Sequence, residues 1–153
     1  MNRTEPSPPA RNGTPDARRL IVGLGNPYYG DDAVGCVAAR MVHERVGAAA
    51  DFTELSASTF GVVEACAGYD EAVIIDAWVD ERTAGSAPAL AHTATLDQAV
   101  RLARRMGMRL PRRIRVFGIR IDPPCAFREG LSPRLAARLP RIADHIAGRA
   151  FRA

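Results

Sequence analysis

Residues Ala72-Val73-Ile74-Ile75-Asp76-Ala77 run apolar without alternation and then meet an acid. A strand with one wet face alternates in polarity, whereas a strand covered on both faces reads as an unbroken apolar run, the pattern of parallel sheets between helices. This run therefore predicts a central strand with helical layers above and below it. A second run, Leu20-Ile21-Val22-Gly23-Leu24-Gly25, is stopped by Asn26-Pro27 and predicts a buried strand ending in a turn. From Asp31 onward Val34, Val37, Ala38 and Met41 share one face at helical spacing. Strand, tight loop and helix form the opening of an α/β unit.

The remaining segments continue the alternation. Phe52 to Leu55 reads as a strand, Gly61 to Gly68 as a short helix, and Gly85 to Leu90 as a weak edge strand. Leu96 to Met106 carries helical periodicity, Ile114 to Ile121 alternates as a last strand, and Leu131 to Ile146 closes the chain as a helix. Pro133 falls in the first turn of that helix, where its missing N–H costs nothing. The expectation is one three-layer αβα domain over residues 18 to 153, with a twisted, mostly parallel sheet of four or five strands. Residues 1 to 17 hold four prolines and no apolar signal core, and are expected to be a disordered tail.

Composition sets the outer limits. A chain of 153 residues with 47% apolar content can bury about 68 to 70% of its unfolded surface, so a core without staples is feasible. No run approaches the ~20 apolar residues of a spanning helix, so no membrane insertion is expected. Cys36, Cys66 and Cys125 are widely spaced, forming neither a metal pair nor a disulfide framework, which suits a reduced, cytoplasmic protein. The net charge of +4 permits an anionic partner without demanding one.

Ligands of open α/β sheets bind beyond the carboxyl ends of the strands, where strand order reverses. If the first strand is central, that crevice lies above the first and third strands. Asp31 and Asp32 follow the first strand, Asp76 ends the third, and His92 precedes the helix expected near Thr93 to Leu96. Each has a structural alternative. Asp31 is placed to cap the helix, accepting N–H groups that its first turn leaves free. Asp32 then has no capping task, although an acid in a first turn still gains a few tenths of a kcal/mol from the helix dipole. Asp76 is costly to bury after five apolar residues unless it is paired or opens into a cleft. A single histidine beside a helix start is commonly a surface or capping group. The cysteines read as small core residues, His43 and His145 as helix-surface groups, and Tyr28, Tyr29 and Trp78 as cleft-wall or surface aromatics.

The glycine turn does not fit a dinucleotide site, because Tyr28 stands where G-x-G-x-x-G needs glycine and two acids at the helix start repel a pyrophosphate. Two carboxylates and one imidazole instead suit a divalent transition metal with open positions. With one nitrogen and no thiolate, such a set holds metal weakly by itself, which suggests a metal presented by another molecule.

The stretch Val22-Gly23-Leu24-Gly25-Asn26, followed by Gly30-Asp31-Asp32-Ala33-Val34-Gly35, resembles the opening signature of the hydrogenase maturation endopeptidases. Ser58-Thr59-Phe60-Gly61, Gly68-Tyr69-Asp70, Val73 to Ala77, His92 with Leu96, Val116-Phe117-Gly118-Ile119 and Gly130-Leu131-Ser132-Pro133 follow in the family's order, over about residues 19 to 148. The resemblance implies a sheet between two helical layers and a nickel-dependent, aspartic-type endopeptidase. Its substrate would be the precursor of a nickel-iron hydrogenase large subunit. Carried over one position at a time, Asp32, Asp76 and His92 would act together on nickel that the substrate supplies, with no tightly bound cofactor of the enzyme's own. Metal polarisation with an activated water would then release a C-terminal peptide. One segment departs from the family: many members carry Asp-Gly-Gly-Thr where this chain has Ser56-Ala57-Ser58-Thr59.

Two other readings compete. A scaffold that recognises the metal without cutting would keep the site and lose turnover. Ile21 to Pro27 also resembles the start of bacterial peptidyl-tRNA hydrolase, but Gly30-Asp31-Asp32-Ala33 stands where that family supplies its catalytic histidine, placing negative charge in the path of a phosphate backbone. No nucleic-acid partner is therefore expected.

Overall fold

The computed structural model describes residues 17–56, 58–79, 91–122 and 127–151, with side chains at 91–95 excepted. The expected tail, the edge strand at Gly85 to Leu90 and Cys125 lie outside the described residues, Ala17 apart. The strands are β1 (Arg19–Leu24), β2 (Asp51–Leu55), β3 (Glu71–Val79) and β4 (Arg113–Ile121). The helices are α1 (Val34–Val46), α2 (Thr59–Cys66), α3 (Ala91–Arg105) and α4 (Pro133–Phe151), and a 3-10 turn at Gly30–Ala33 leads into α1.

The sheet order is β2-β1-β3-β4 and every neighbour pair is parallel. Among the described residues, mostly parallel becomes wholly parallel across four strands. Side chains on β1 and β3 alternate between two dry layers. Ile21, Val73 and Ile75 point to a core shared with α1 and α4, built on Val34, Val42, Leu135, Leu139 and Ile146. Leu20, Val22, Leu24, Ala72 and Ile74 point to the opposite core, shared with α2 and α3 through Val62, Cys66, Leu96 and Val100. Ile21, Ile74 and Ile75 are wholly buried, each contributing about 2 kcal/mol of transfer free energy. Both faces are covered, which is why the β3 run shows no alternation.

Strand β1 is central, and the chain crosses to β2 on one side and to β3 on the other. The reversal of strand order therefore falls between β1 and β3, whose register pairs Gly23 with Ile75. Helix α1 presses onto this seam because two glycines let it. A Cβ at Gly23 would lie 2.7 Å from the Cα of Cys36, and one at Gly35 would lie 2.1 Å from the Leu24 carbonyl oxygen and 2.4 Å from that of Ile75. Among the described residues no helix is long and apolar enough to cross a membrane.

Candidate functional site at the β1–β3 crevice

The loop after β1 folds back on itself through its own amides. The Tyr28 N–H donates to Asn26 Oδ1 at 3.0 Å and the Tyr29 N–H to the Asn26 carbonyl at 3.1 Å. The Asp32 N–H then donates to the Tyr29 carbonyl at 3.1 Å. A compact Asx turn results, and it delivers Gly30 to Ala33 to the head of α1.

Asp32 has a structural task that sequence reasoning missed. Its Oδ2 accepts the Asn26 backbone N–H at 3.0 Å, closing the loop six residues back. An amide fixes a carboxylate without cancelling its charge, and Asp32 stays half-buried at the crevice. Asp76 does not end β3, which runs three residues further because β4 continues to pair with it as far as Val79; it lies just past the last pair with β1, half-buried, with Oδ1 accepting the Ala77 N–H at 2.8 Å. The two come from elements in contact, the 3-10 turn lying against β3, and at Gly35 just beyond that turn a Cβ would lie 3.0 Å from the Cα of Asp76. Near β1's end the Cys36 thiol donates to the Gly23 carbonyl at 3.5 Å and approaches that of Gly25 at 3.9 Å. Burial, with the carboxylates of Glu54, Asp32 and Asp76 adding to it and Arg40 opposing, pushes this thiol up to about 11. Both candidate acids thus act electrostatically on one buried atom.

Asp31 does not cap the helix. The residue at the α1 N-cap position is Ala33, and Tyr29 fills that position for the 3-10 turn, neither with a side-chain cap bond. The Asp31 carboxylate instead reaches across 101 positions of sequence. Oδ1 accepts the Ser132 N–H at 2.6 Å, Oδ2 accepts the Ser132 hydroxyl at 2.8 Å, and Arg128 stands 3.6 Å away. Ser132 in turn accepts the Leu135 N–H at 3.4 Å at the start of α4. The first acid of the pair fastens the loop to α4, and the second faces the crevice. No local signal could have separated them, since the distinguishing partner lies at the other end of the chain.

His92 lies in the first turn of α3, which begins at Ala91 and so earlier than the periodicity indicates; its side chain is outside the described residues. Among the described residues no group of three His, Cys, Asp or Glu side chains could hold a metal ion. Asp32 and Asp76 make up the described part of the expected set. A pair of oxygen donors suits a divalent cation whose other ligands come from elsewhere. Cys36 and Cys66 are free and buried, as expected of core residues. At the segment that departs from the family, the Ser58 hydroxyl caps α2 by accepting the Gly61 N–H at 3.3 Å.

No protein-family model matches the sequence, and no curated protein matches it. Solved structures do. Hydrogenase maturating endopeptidase HybD from E. coli is similar with a TM-score of 0.63 and 21% identity, over 86% of this chain and 92% of that one. The [NiFe] hydrogenase maturation protease HybD from Thermococcus kodakarensis is similar with a TM-score of 0.61 and 23% identity, over 88% and 99%. HycI from the same organism gives 0.54 and 19%, over 86% and 90%. The chain shares the fold of the hydrogenase maturation endopeptidases.

Proposed function

We propose that this chain is an endopeptidase that removes a C-terminal peptide from the nickel-loaded precursor of a nickel-iron hydrogenase large subunit. The observation that supports the reading is the contact of the 3-10 turn that carries Asp32 with β3, which carries Asp76 just past its last pair with β1, beside the carboxyl end of β1 where open α/β sheets bind their ligands. The fold shared with hydrogenase maturation proteases supports it. Nickel belongs to the substrate and arrives on the precursor's own thiolates; Asp32, Asp76 and His92 complete its shell. Two carboxylates and an imidazole bind such an ion weakly alone, so capture depends on the precursor and reports that the metal has been inserted. The bound ion polarises the scissile carbonyl and activates water. Water oxygen attacks the carbonyl carbon, the C–N bond breaks, and the leaving amine takes the proton. The reduced thiols fit a cytoplasmic reaction.

A second reading, recognition without cutting, is favoured by one observation: Ser58, in the segment where many family members carry Asp-Gly-Gly-Thr, is engaged in capping α2. One experiment separates the two. The protein is incubated with nickel-loaded and nickel-free precursor and the products are weighed by mass spectrometry. Loss of a C-terminal peptide from the loaded sample alone is expected. Binding of the loaded precursor with no change of mass establishes the scaffold, and equal cleavage of both samples overturns nickel recognition.

A further inference from the structure

Resting on that reading, the geometry points to a second recognition element beside the acids: we propose that Tyr28, Tyr29 and Phe127 form a preformed aromatic rim that seats an apolar side chain of the protein substrate. These three rings are 56%, 45% and 79% exposed, large values for side chains that lose free energy in water. Tyr28 and Tyr29 follow each other in the chain, and a backbone bridge joins Tyr29 to Arg128, the residue after Phe127. Tyr29 and Phe127 meet edge to face with centroids 5.9 Å apart. Exposed apolar groups scattered singly need no explanation, but a contiguous patch beside a cleft marks an interaction site.

The rim is wired to the acid it flanks. Tyr28 and Tyr29 belong to the same Asx turn whose Asn26 N–H holds Asp32. The opposite wall is brought in by a backbone bridge: the Arg128 N–H donates to the Tyr28 carbonyl at 3.0 Å, and the Gly30 N–H donates to the Arg128 carbonyl at 2.9 Å. Asp31 stands beside Arg128 and grips Ser132, so both strands of the bridge are fixed before any partner arrives. Rings already held in place lose little freedom on binding, which converts more of their buried area into affinity.

The chemistry of the rim selects the occupant. Arg128, next to Phe127 in the chain and bridged to Tyr28 through the backbone, is answered by Asp31 at 3.6 Å, so this guanidinium does not draw a phosphate or an acidic segment to the rim. The partner is therefore a leucine-sized to phenylalanine-sized side chain, on the stretch of substrate that runs alongside its metal. The acids read the metal and the rim reads the neighbouring chain.

The test is a split between KM and kcat for nickel-loaded precursor. Tyr29→Ala and Phe127→Ala are each expected to raise KM at least fivefold with kcat unchanged, because the rim binds ground state and transition state alike. Met106→Ser, which removes an exposed apolar group from the residue after α3, is expected to match wild type. Unchanged KM in both alanine variants, or a fall in kcat alone, overturns the rim. If sedimentation shows that the substitutions instead dissolve a homodimer, the occupant is a second copy and the proposal fails. Should wild type bind precursor without cutting it, the peptidase reading falls by itself. The two alanine substitutions are then expected to weaken the measured Kd fivefold, and an unchanged Kd overturns the rim too.

Discussion

The two ends of the sheet treat their acids differently. At the amino end, acids meet arginines: Asp70 pairs with Arg109 at 3.0 Å, and Glu71 lies between Arg19 at 3.2 Å and Arg113 at 3.4 Å. Tyr69 donates to Asp51 at 3.0 Å while Arg18 covers its ring. The Arg18 backbone N–H, helped by Arg109, holds the Asp70 carboxyl below its usual range. At the crevice, Asp32 accepts the Asn26 N–H and Asp76 the Ala77 N–H, which set their direction. The acids of the amino end meet guanidinium groups, and the two candidate site acids meet backbone amides.

The comparison predicts unequal tolerance. The largest effect is expected at Gly35, where the new methyl of Gly35→Ala would overlap two carbonyl oxygens and drive α1 off the β1–β3 seam. A loss of about 3 kcal/mol, at the upper end for overpacking, is expected in urea unfolding, and a neutral result breaks the account of the seam. Asp31→Ala comes next, at about 2 kcal/mol, because the Ser132 N–H and hydroxyl both lose a charged acceptor. Asp31→Asn should recover part of this, and full stability of the alanine variant would return Asp31 to the surface. Smaller, and confined to alkaline solution, is the effect of the buried thiols. Burial raises Cys36 and Cys66 from 9.0 to about 11, so the fold favours their neutral forms. Their contribution is complete below pH 9 and disappears as pH rises through 11. Replacing both by alanine should flatten the stability profile between those values, and an unaltered slope contradicts their burial. The smallest effect belongs to the amino end. Glu71→Gln should cost about 0.5 kcal/mol, vanishing in high salt, as for other partly exposed pairs.

Much of the architecture was legible because burial leaves a periodic trace. The unbroken Val73-Ile74-Ile75 run demanded cover on both faces, and α1 with α4 and α2 with α3 supply it. The crevice followed from the topology that this run implied. What escaped was set by distance along the chain. Asp31 beside a helix start reads as a cap, and nothing local announces Ser132. Asp32 reads as idle, since its bond to Asn26 needs the loop to be already closed. The helix at Ala91 begins ahead of its apolar stripe, because a first turn need not touch the core and so carries no periodic signal.

The central claim is that Asp32 and Asp76 serve one cation as a unit, and single-turnover cleavage of nickel-loaded precursor tests it most directly. Asp32→Ala and Asp76→Ala should each slow the step at least about a thousandfold, and the double variant should be little slower than either, as for groups that act together. A wild-type rate in either single variant, or losses that simply multiply, would contradict it.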